Sequence, residues 1–170
     1  GIQYITAIDD VELGKVSRVF EDKQGEEWVF SDKGVSIFGK RTISSYPFSM
    51  FETMDNLVFL ASQNGRLAYY DVNTMQFNIV PFQEKIQHIN GIKVLKDNQL
   101  AVLSDKGLYL CRFPELAMEK YDFSLPGHDD AAVRKVYQDS KGFLWIFTGL
   151  PGIIRLDPET GVKQYLNTPS

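Results

Sequence analysis

Few side chains in this sequence could do chemistry, and their spacing groups them poorly. There are two histidines, His88 and His128, and one cysteine, Cys111. His128-Asp129-Asp130 is the one cluster that joins imidazole to carboxylates, a donor set able to hold a divalent ion. Preceded by Gly127, the same residues also make an ordinary polar turn, and the turn is the preferred reading. Asp9-Asp10 occupies a corresponding loop and reads as solvated. The sequence has no Gly-x-Ser-x-Gly elbow, no His-Glu-x-x-His pair, no Gly-rich phosphate loop and no Cys with a nearby His signature. Paired carboxylates for glycoside cleavage could be drawn from any of 22 acidic residues, but nothing singles out a pair. No cofactor site and no catalytic residue are therefore expected.

The elements that would position these groups follow from composition and repetition. A chain of 170 residues can bury a sizeable core, and an aromatic share of 13% points to layered β packing. A net charge of -4 without a basic stripe excludes a nucleic-acid partner, which needs a concentrated cationic face. No run approaches the roughly 18 to 20 apolar residues that span a bilayer, so any signal peptide or anchor is expected outside this stretch. Cys111, between Leu110 and Arg112 in an apolar run, reads as a small buried hydrophobe.

Four segments align with one another, beginning at Val16 (VSRVFEDKQGEEWVFSDKG), Pro47 (PFSMFETMDNLVFLASQNG), Ile89 (INGIKVLKDNQLAVLSDKG) and Val133 (VRKVYQDSKGFLWIFTGLPG). The fourth position, Val19, Met50, Ile92 and Val136, reads as a buried site on a first strand. The tenth, Gly25, Asn56, Asn98 and Gly142, holds the residue types that accept a left-handed backbone most readily, so it marks a hairpin turn. Asp22 and Asp139 precede that turn as Asp-x-x-Gly, where a carboxylate can bind backbone N–H groups.

The thirteenth position, Trp28, Phe59, Ala101 and Trp145, lies in runs that are apolar on both faces, as a strand between stacked sheets must be. Core packing is favoured over sugar stacking for both tryptophans on this register. Three residues later comes a hydroxyl each time, at Ser31, Ser62, Ser104 and Thr148. A glycine turn follows, then a third strand, and in most units a fourth. The thirteenth positions recur after 31, 42 and 44 residues, close to the roughly 40 to 45 of a four-stranded propeller blade. Blades are expected at about 16–46, 47–82, 89–123 and 133–167, with 1–8 an outer strand of a preceding or closing blade. The nearest helical candidate is the short stretch 115–121, which follows Pro114. The fold class is all-β: an open arc of a larger propeller, or a compact four-bladed one.

Val133 to Leu166 (VRKVYQDSKGFLWIFTGLPGIIRLDPETGVKQYL) resembles the two-component regulator propeller repeat almost throughout, and Val16 to Phe38 is a second good match. The units from Pro47 and Ile89 lack the tryptophan and the first-turn glycine. Phe30 and Phe147 stand where the family usually has glycine. The resemblance implies a non-catalytic part of the periplasmic sensor region of a hybrid histidine kinase, with an oligosaccharide as ligand and the remainder of the kinase chain as partner. Streptogramin-lyase-like propellers have similar repeats, so a propeller lyase or hydrolase is an alternative, as is a structural, protein-binding propeller.

By family analogy the ligand face carries the loops after the outer and second strands. His88, His128 and Asp129 fall there, and Tyr46 and Phe82 are the aromatic candidates for contact. An arc of four blades would leave an apolar blade face uncovered at each end, which favours self-association or a homodimer.

Overall fold

The computed structural model describes residues 7–8, 11–21, 25–39, 43–46, 48–123 and 132–166. All their regular elements are strands, and every pairing is antiparallel. A short hairpin of β1 (Ala7–Ile8) and β2 (Val11–Glu12) precedes four sheets of four strands each. Blade 1 is β3 (Val16–Glu21), β4 (Glu27–Ser31), β5 (Gly34–Phe38) and β6 (Ile43–Tyr46). Blade 2 is β7 (Met50–Met54), β8 (Leu57–Ala61), β9 (Leu67–Asp71) and β10 (Gln76–Val80). Blade 3 is β11 (Ile89–Leu95), β12 (Gln99–Ser104), β13 (Gly107–Arg112) and β14 (Ala117–Tyr121), and blade 4 is β15 (Val133–Gln138), β16 (Leu144–Thr148), β17 (Ile153–Leu156) and β18 (Lys163–Leu166). Within each sheet the strands lie in chain order, the up-and-down meander of a propeller blade. The stretch 115–121, weighed as a helix, supplies β14 instead. Ala7–Ile8, expected at the end of an outer strand, pairs with Val11–Glu12; residues 1–6 lie outside the described residues.

Alternation along each second strand sends one set of side chains to the preceding blade and the other to the following one. Trp28, Phe30, Val35 and Ile37 of blade 1 pack against Val58, Leu60, Ala68 and Tyr70 of blade 2. Phe59, Ala61 and Leu67 of blade 2 meet Leu100, Val102 and Cys111 of blade 3. Ala101, Leu103, Leu108 and Leu110 of blade 3 meet Leu144, Ile146, Ile154 and Leu156 of blade 4. In blades 1 to 3 the thirteenth position thus faces the next blade. Cys111 is fully buried, and burial pushes its thiol up to about 11.

No buried cluster joins blade 4 to blade 1 among the described residues, so these sheets form an open arc. Trp28 is fully buried, whereas Trp145, expected in the core on the same column, is only half-buried because no blade covers its side. Tyr137 and Phe147 share that open face at 58% and 39% exposure. The expected burial of the fourth position is corrected in the same way. Val136 is buried, but Val19 faces outward from blade 1 and is 57% exposed. In blade 2 the equivalent residue is Phe51, not Met50. Phe51 lies opposite Leu60 just as Val19 lies opposite Val29, while Met50 points the other way, toward blade 3.

That one-residue slip is absorbed in the first turn. Blades 1, 3 and 4 have turns long enough to place Gly25, Asn98 and Gly142 at positive φ. Blade 2 closes with only Asp55 and Asn56 between its strands, and Asp55 takes the left-handed conformation in place of Asn56.

Candidate functional site

The two rims of the arc differ in how their turns are built. One rim carries the turns after each second strand together with the connections between blades. The hydroxyl column is explained here. Ser31 and Ser104 each accept from the N–H two residues on, at 3.1 and 3.0 Å, and Thr148 accepts from Leu150 N–H at 3.1 Å. Next in the two Ser-Asp-Lys-Gly turns come Asp32 and Asp105. Asp32 accepts from Lys15 N–H at 2.8 Å, and Asp105 from Gln87 and His88 N–H at 3.3 and 3.1 Å. Each carboxylate therefore clasps the chain that leads into the first strand of its own blade.

His88 and Phe82 lie on this rim but do not converge. The His88 side chain is exposed, and its backbone is held by Asp105. Phe82 packs edge-on against Tyr109 at 5.2 Å between ring centres. Beside it Glu84 accepts from the Tyr109 hydroxyl at 2.7 Å and pairs with Lys120 at 2.6 Å. Lys120 and Tyr109, in that order, hold the Glu84 carboxyl below its usual range. Tyr46 is placed by its backbone pairing with Val35, its side chain being outside the described residues. Asp22, His128 and Asp129 also lie outside them. Among the described residues no three metal-binding side chains come together.

The opposite rim, carrying the turns after the first and third strands, holds a groove of about 350 Å³ between blades 3 and 4. Blade 3 contributes Asp97, Gln99 and Arg112; blade 4 contributes Lys141, Phe143 and Glu159. Gln99 and Arg112 are brought together as directly paired residues of β12 and β13. Across the gap, Lys96 N–H donates to the Gln138 side-chain oxygen at 2.9 Å, and Gln138 in turn donates to the Gly142 carbonyl at 3.5 Å. The Lys96 ammonium reaches the carbonyls of Asp139 and Ser140, each at 3.4 Å. These contacts fix the two first turns relative to one another.

Asp139 and Asp157 build the blade 4 side. Asp139 accepts from Lys141 and Phe143 N–H at 2.9 and 3.1 Å with one oxygen and from the Trp145 indole N–H at 2.9 Å with the other. The indole bond is the main cause of its lowered pKa. Asp157 accepts from Glu159 and Thr160 N–H at 3.0 and 3.4 Å, and the Thr160 side chain contributes most to its lowered pKa. Both carboxylates are therefore ionised and engaged in turn formation. The remaining lining groups are exposed or half-buried, with donors and acceptors on both sides (Arg112, Gln99 and Asp97 from blade 3, Lys141 and Glu159 from blade 4) and Phe143 as an apolar wall.

Such a lining suits a polyhydroxylated ligand better than an ion of either sign, because each hydroxyl needs both a donor and an acceptor. None of these groove residues is marked by the repeat. Those of blade 3 and those of blade 4 come from different repeats and meet only because blades stack. The one available signal was Arg112, a cation closing an otherwise apolar strand.

No family model and no curated relative matches the chain. Solved structures do resemble it. The extracellular domain of a protein described as a hybrid two component system from B. thetaiotaomicron shares 16% identity, with a TM-score of 0.60 over 99% of this chain and 23% of that one. Virginiamycin B lyase from Staphylococcus aureus shares 14% identity, with a TM-score of 0.62 over 91% of this chain and 56% of the lyase. The N-terminal domain of Nup159 shares 16%, with a TM-score of 0.61 over 93% of this chain and 49% of the domain. The chain thus spans between about a quarter and just over half of these proteins. The resemblance read from the repeats and the likeness of the sensor domain agree, and together they make this chain an all-β arc of four propeller blades.

Proposed function

We propose that the chain is the ligand-sensing part of an extracytoplasmic receptor, a propeller segment that binds an oligosaccharide and passes the signal to a kinase elsewhere in the receptor. The observation that carries this reading is the groove between blades 3 and 4. It offers donors, acceptors and one aromatic wall, and it is shared by two rigid sheets whose relative placement a ligand could bias. Binding signals only if the ligand prefers one arrangement of the receptor, so the bound state must differ from the free one in how the blades or their neighbours sit. The family-like repeat at Val133–Leu166 and the fold likeness to a two-component extracellular domain support the assignment.

Calorimetric titration with oligosaccharides of several linkages tests it. Binding is expected for at least one linkage, and Arg112→Ala or Lys141→Ala should weaken it roughly tenfold, the loss of one charge-assisted hydrogen bond. Silence across the whole panel would defeat the reading. The likeness to virginiamycin B lyase favours one alternative, an enzyme built on the same fold. A propeller lyase working through metal-bound histidine would bind a divalent ion at His88 or His128, and isothermal titration with Mg²⁺ or Mn²⁺ that gives no heat removes it.

A further inference from the structure

The other two junctions are bridged or filled near the level where the groove between blades 3 and 4 opens. Between blades 1 and 2 the Tyr70 hydroxyl donates to the Glu26 carboxylate at 3.3 Å. Between blades 2 and 3 the Phe113 ring lies 4.7 Å from that of Phe59 and 5.6 Å from that of Tyr69, with Leu57 packed on the same cluster. By strand register, the blade 4 residues that correspond to Tyr70 and Phe113 are Leu156 and Pro158. Leu156 has no hydroxyl to reach across, and Pro158 has only a small ring, so the space stays open.

Position 112 departs from the repeat at the edge of this space. Asp71, paired with Leu57, and Asp157, one residue beyond the Leu144–Leu156 pair, open the turns after the third strands of blades 2 and 4. Each carboxylate accepts from the N–H groups two and three residues on. In blade 3 the same place, paired with Gln99, is held by Arg112. The turn keeps its form without an acid: Met75, Leu116 and Gly161, each four residues further on, all take positive φ. Two residues after Arg112 stands Pro114, which has no N–H to offer, so a carboxylate here would lose one of its two donors. Position 112 is thereby released from holding its turn. Arg112 is exposed and lines the groove, and among the described residues its guanidinium has neither a hydrogen bond nor an ion pair.

Charge decides what such a group can take. Arg112 and Lys141 share the lining with Asp97, Asp157 and Glu159, so a ligand carboxylate would lose beside the acids what it gains beside the cations. A neutral ligand avoids that opposition. The guanidinium is a planar fork of parallel N–H donors with no acceptor, which matches two oxygens side by side; the paired Gln99 amide supplies an acceptor as well as donors. Building on the sensing role proposed above, we infer that Arg112 is the specificity-determining residue of the groove. Its fork donates to two hydroxyl oxygens on neighbouring carbons of one neutral sugar ring, while the Gln99 side-chain oxygen accepts from one of those hydroxyls.

The test is calorimetric titration of the chain with four probes. Maltopentaose and cellopentaose keep two neighbouring free hydroxyls in every unit. Laminaripentaose, linked through the middle of the three ring hydroxyls, has no such pair in its internal units, and trigalacturonic acid adds carboxylates. Maltopentaose or cellopentaose should bind, laminaripentaose should bind roughly fivefold or more weakly, and trigalacturonic acid should gain nothing from its charge. Affinity for the neutral probe should change little between low and high salt. Arg112→Lys keeps the charge but not the fork, and should weaken binding to within about twofold of Arg112→Ala. The probe comparisons need only the wild type, so they decide the matter whatever the variants do to stability. Silence toward all four probes would remove the sensing role and this inference together. Binding of a neutral probe with full affinity in Arg112→Lys, laminaripentaose bound as tightly as the other pentasaccharides, or a salt-sensitive preference for trigalacturonic acid would each overturn the inference and leave the sensing role standing.

Discussion

Trp28 and Trp145 occupy one column of the repeat, yet the structure assigns them very different energetic weights. Trp28 has no exposed surface, meets the Tyr70 ring edge-on at 4.8 Å, and stacks near Phe30 at 6.4 Å. Truncation to alanine should cost about 4 kcal/mol, within the range for a large aromatic removed from a closed core, because flanking sheets cannot collapse into the space. Trp145 is half-buried, and no further blade packs against its side among the described residues. Its alanine variant loses the indole bond to Asp139 and some packing, about 1 to 2 kcal/mol after allowing for solvent. Asp139 keeps its two backbone donors in that variant. Urea unfolding followed by far-UV circular dichroism measures both variants without relying on tryptophan emission. Comparison should be made only where the slopes agree, since repeat arrays can lose two-state behaviour. It should be run at the lowest workable concentration, so that association does not cover Trp145. Equal losses at the two positions under those conditions would refute the argument, for they would mean that Trp145 is as enclosed as Trp28 within a single chain.

Two glycines of positive φ should respond differently to a methyl group. At Gly107 (φ 121) an added Cβ would lie 2.4 Å from the Tyr121 carbonyl oxygen, so Gly107→Ala should cost more than 2 kcal/mol; at Gly142 (φ 91) nothing lies within 4 Å, and thermal melts should show only about 1 kcal/mol of backbone strain. Asp105→Ala removes the acceptor for Gln87 and His88 N–H, and limited proteolysis should then cut the 81–88 connection faster than in wild type while the blades stay folded. Asp71, Asp139 and Asp157 all have lowered pKa values, set chiefly by Asn56, Trp145 and Thr160 in turn. Their stabilisation is complete above the unfolded value near about 4 and is lost as pH falls through the lower folded values. Glu52, raised by burial with Lys93 partly opposing, acts with the opposite sign and loses its contribution as pH rises through its folded value. Melting temperature should therefore drop steeply below about pH 4, less so in Asp139→Asn; a flat profile from pH 5 to 2 would contradict the turn geometry.

Much of the architecture was legible because blade packing writes itself into alternation. Apolar runs such as Leu57–Ala61 and Leu100–Leu103 announce strands covered on both faces, and the hydroxyl column announces the turn that follows them. The misplacements have physical causes. Trp145 looked like Trp28 because sequence reports a column but not whether another sheet stands beside it. Met50 was aligned in place of Phe51 because a two-residue turn and a five-residue turn look alike once Asn56 matches Gly25 and Gly142. The groove was invisible for a different reason. Asp97, Arg112, Lys141 and Glu159 belong to four separate turns or strand ends, and only stacking of two sheets joins them. On the rim favoured from family analogy, Asp105 clasps the backbone at His88 and Phe82 packs on Tyr109, contacts that no alignment of the repeats announces.

Blades 2 and 3 each share buried clusters with two neighbours, whereas blades 1 and 4 each have one. Since nearly every other contact is made within a blade or with the adjacent one, the arc should behave as a short one-dimensional chain of coupled units. Amide exchange would then grade along the sequence, slowest in β8, β9, β12 and β13 and fastest toward β3 and β18, with melting that begins at the ends and moves inward. The middle of the arc is thus the natural nucleus of the fold, and the ends are where it breathes.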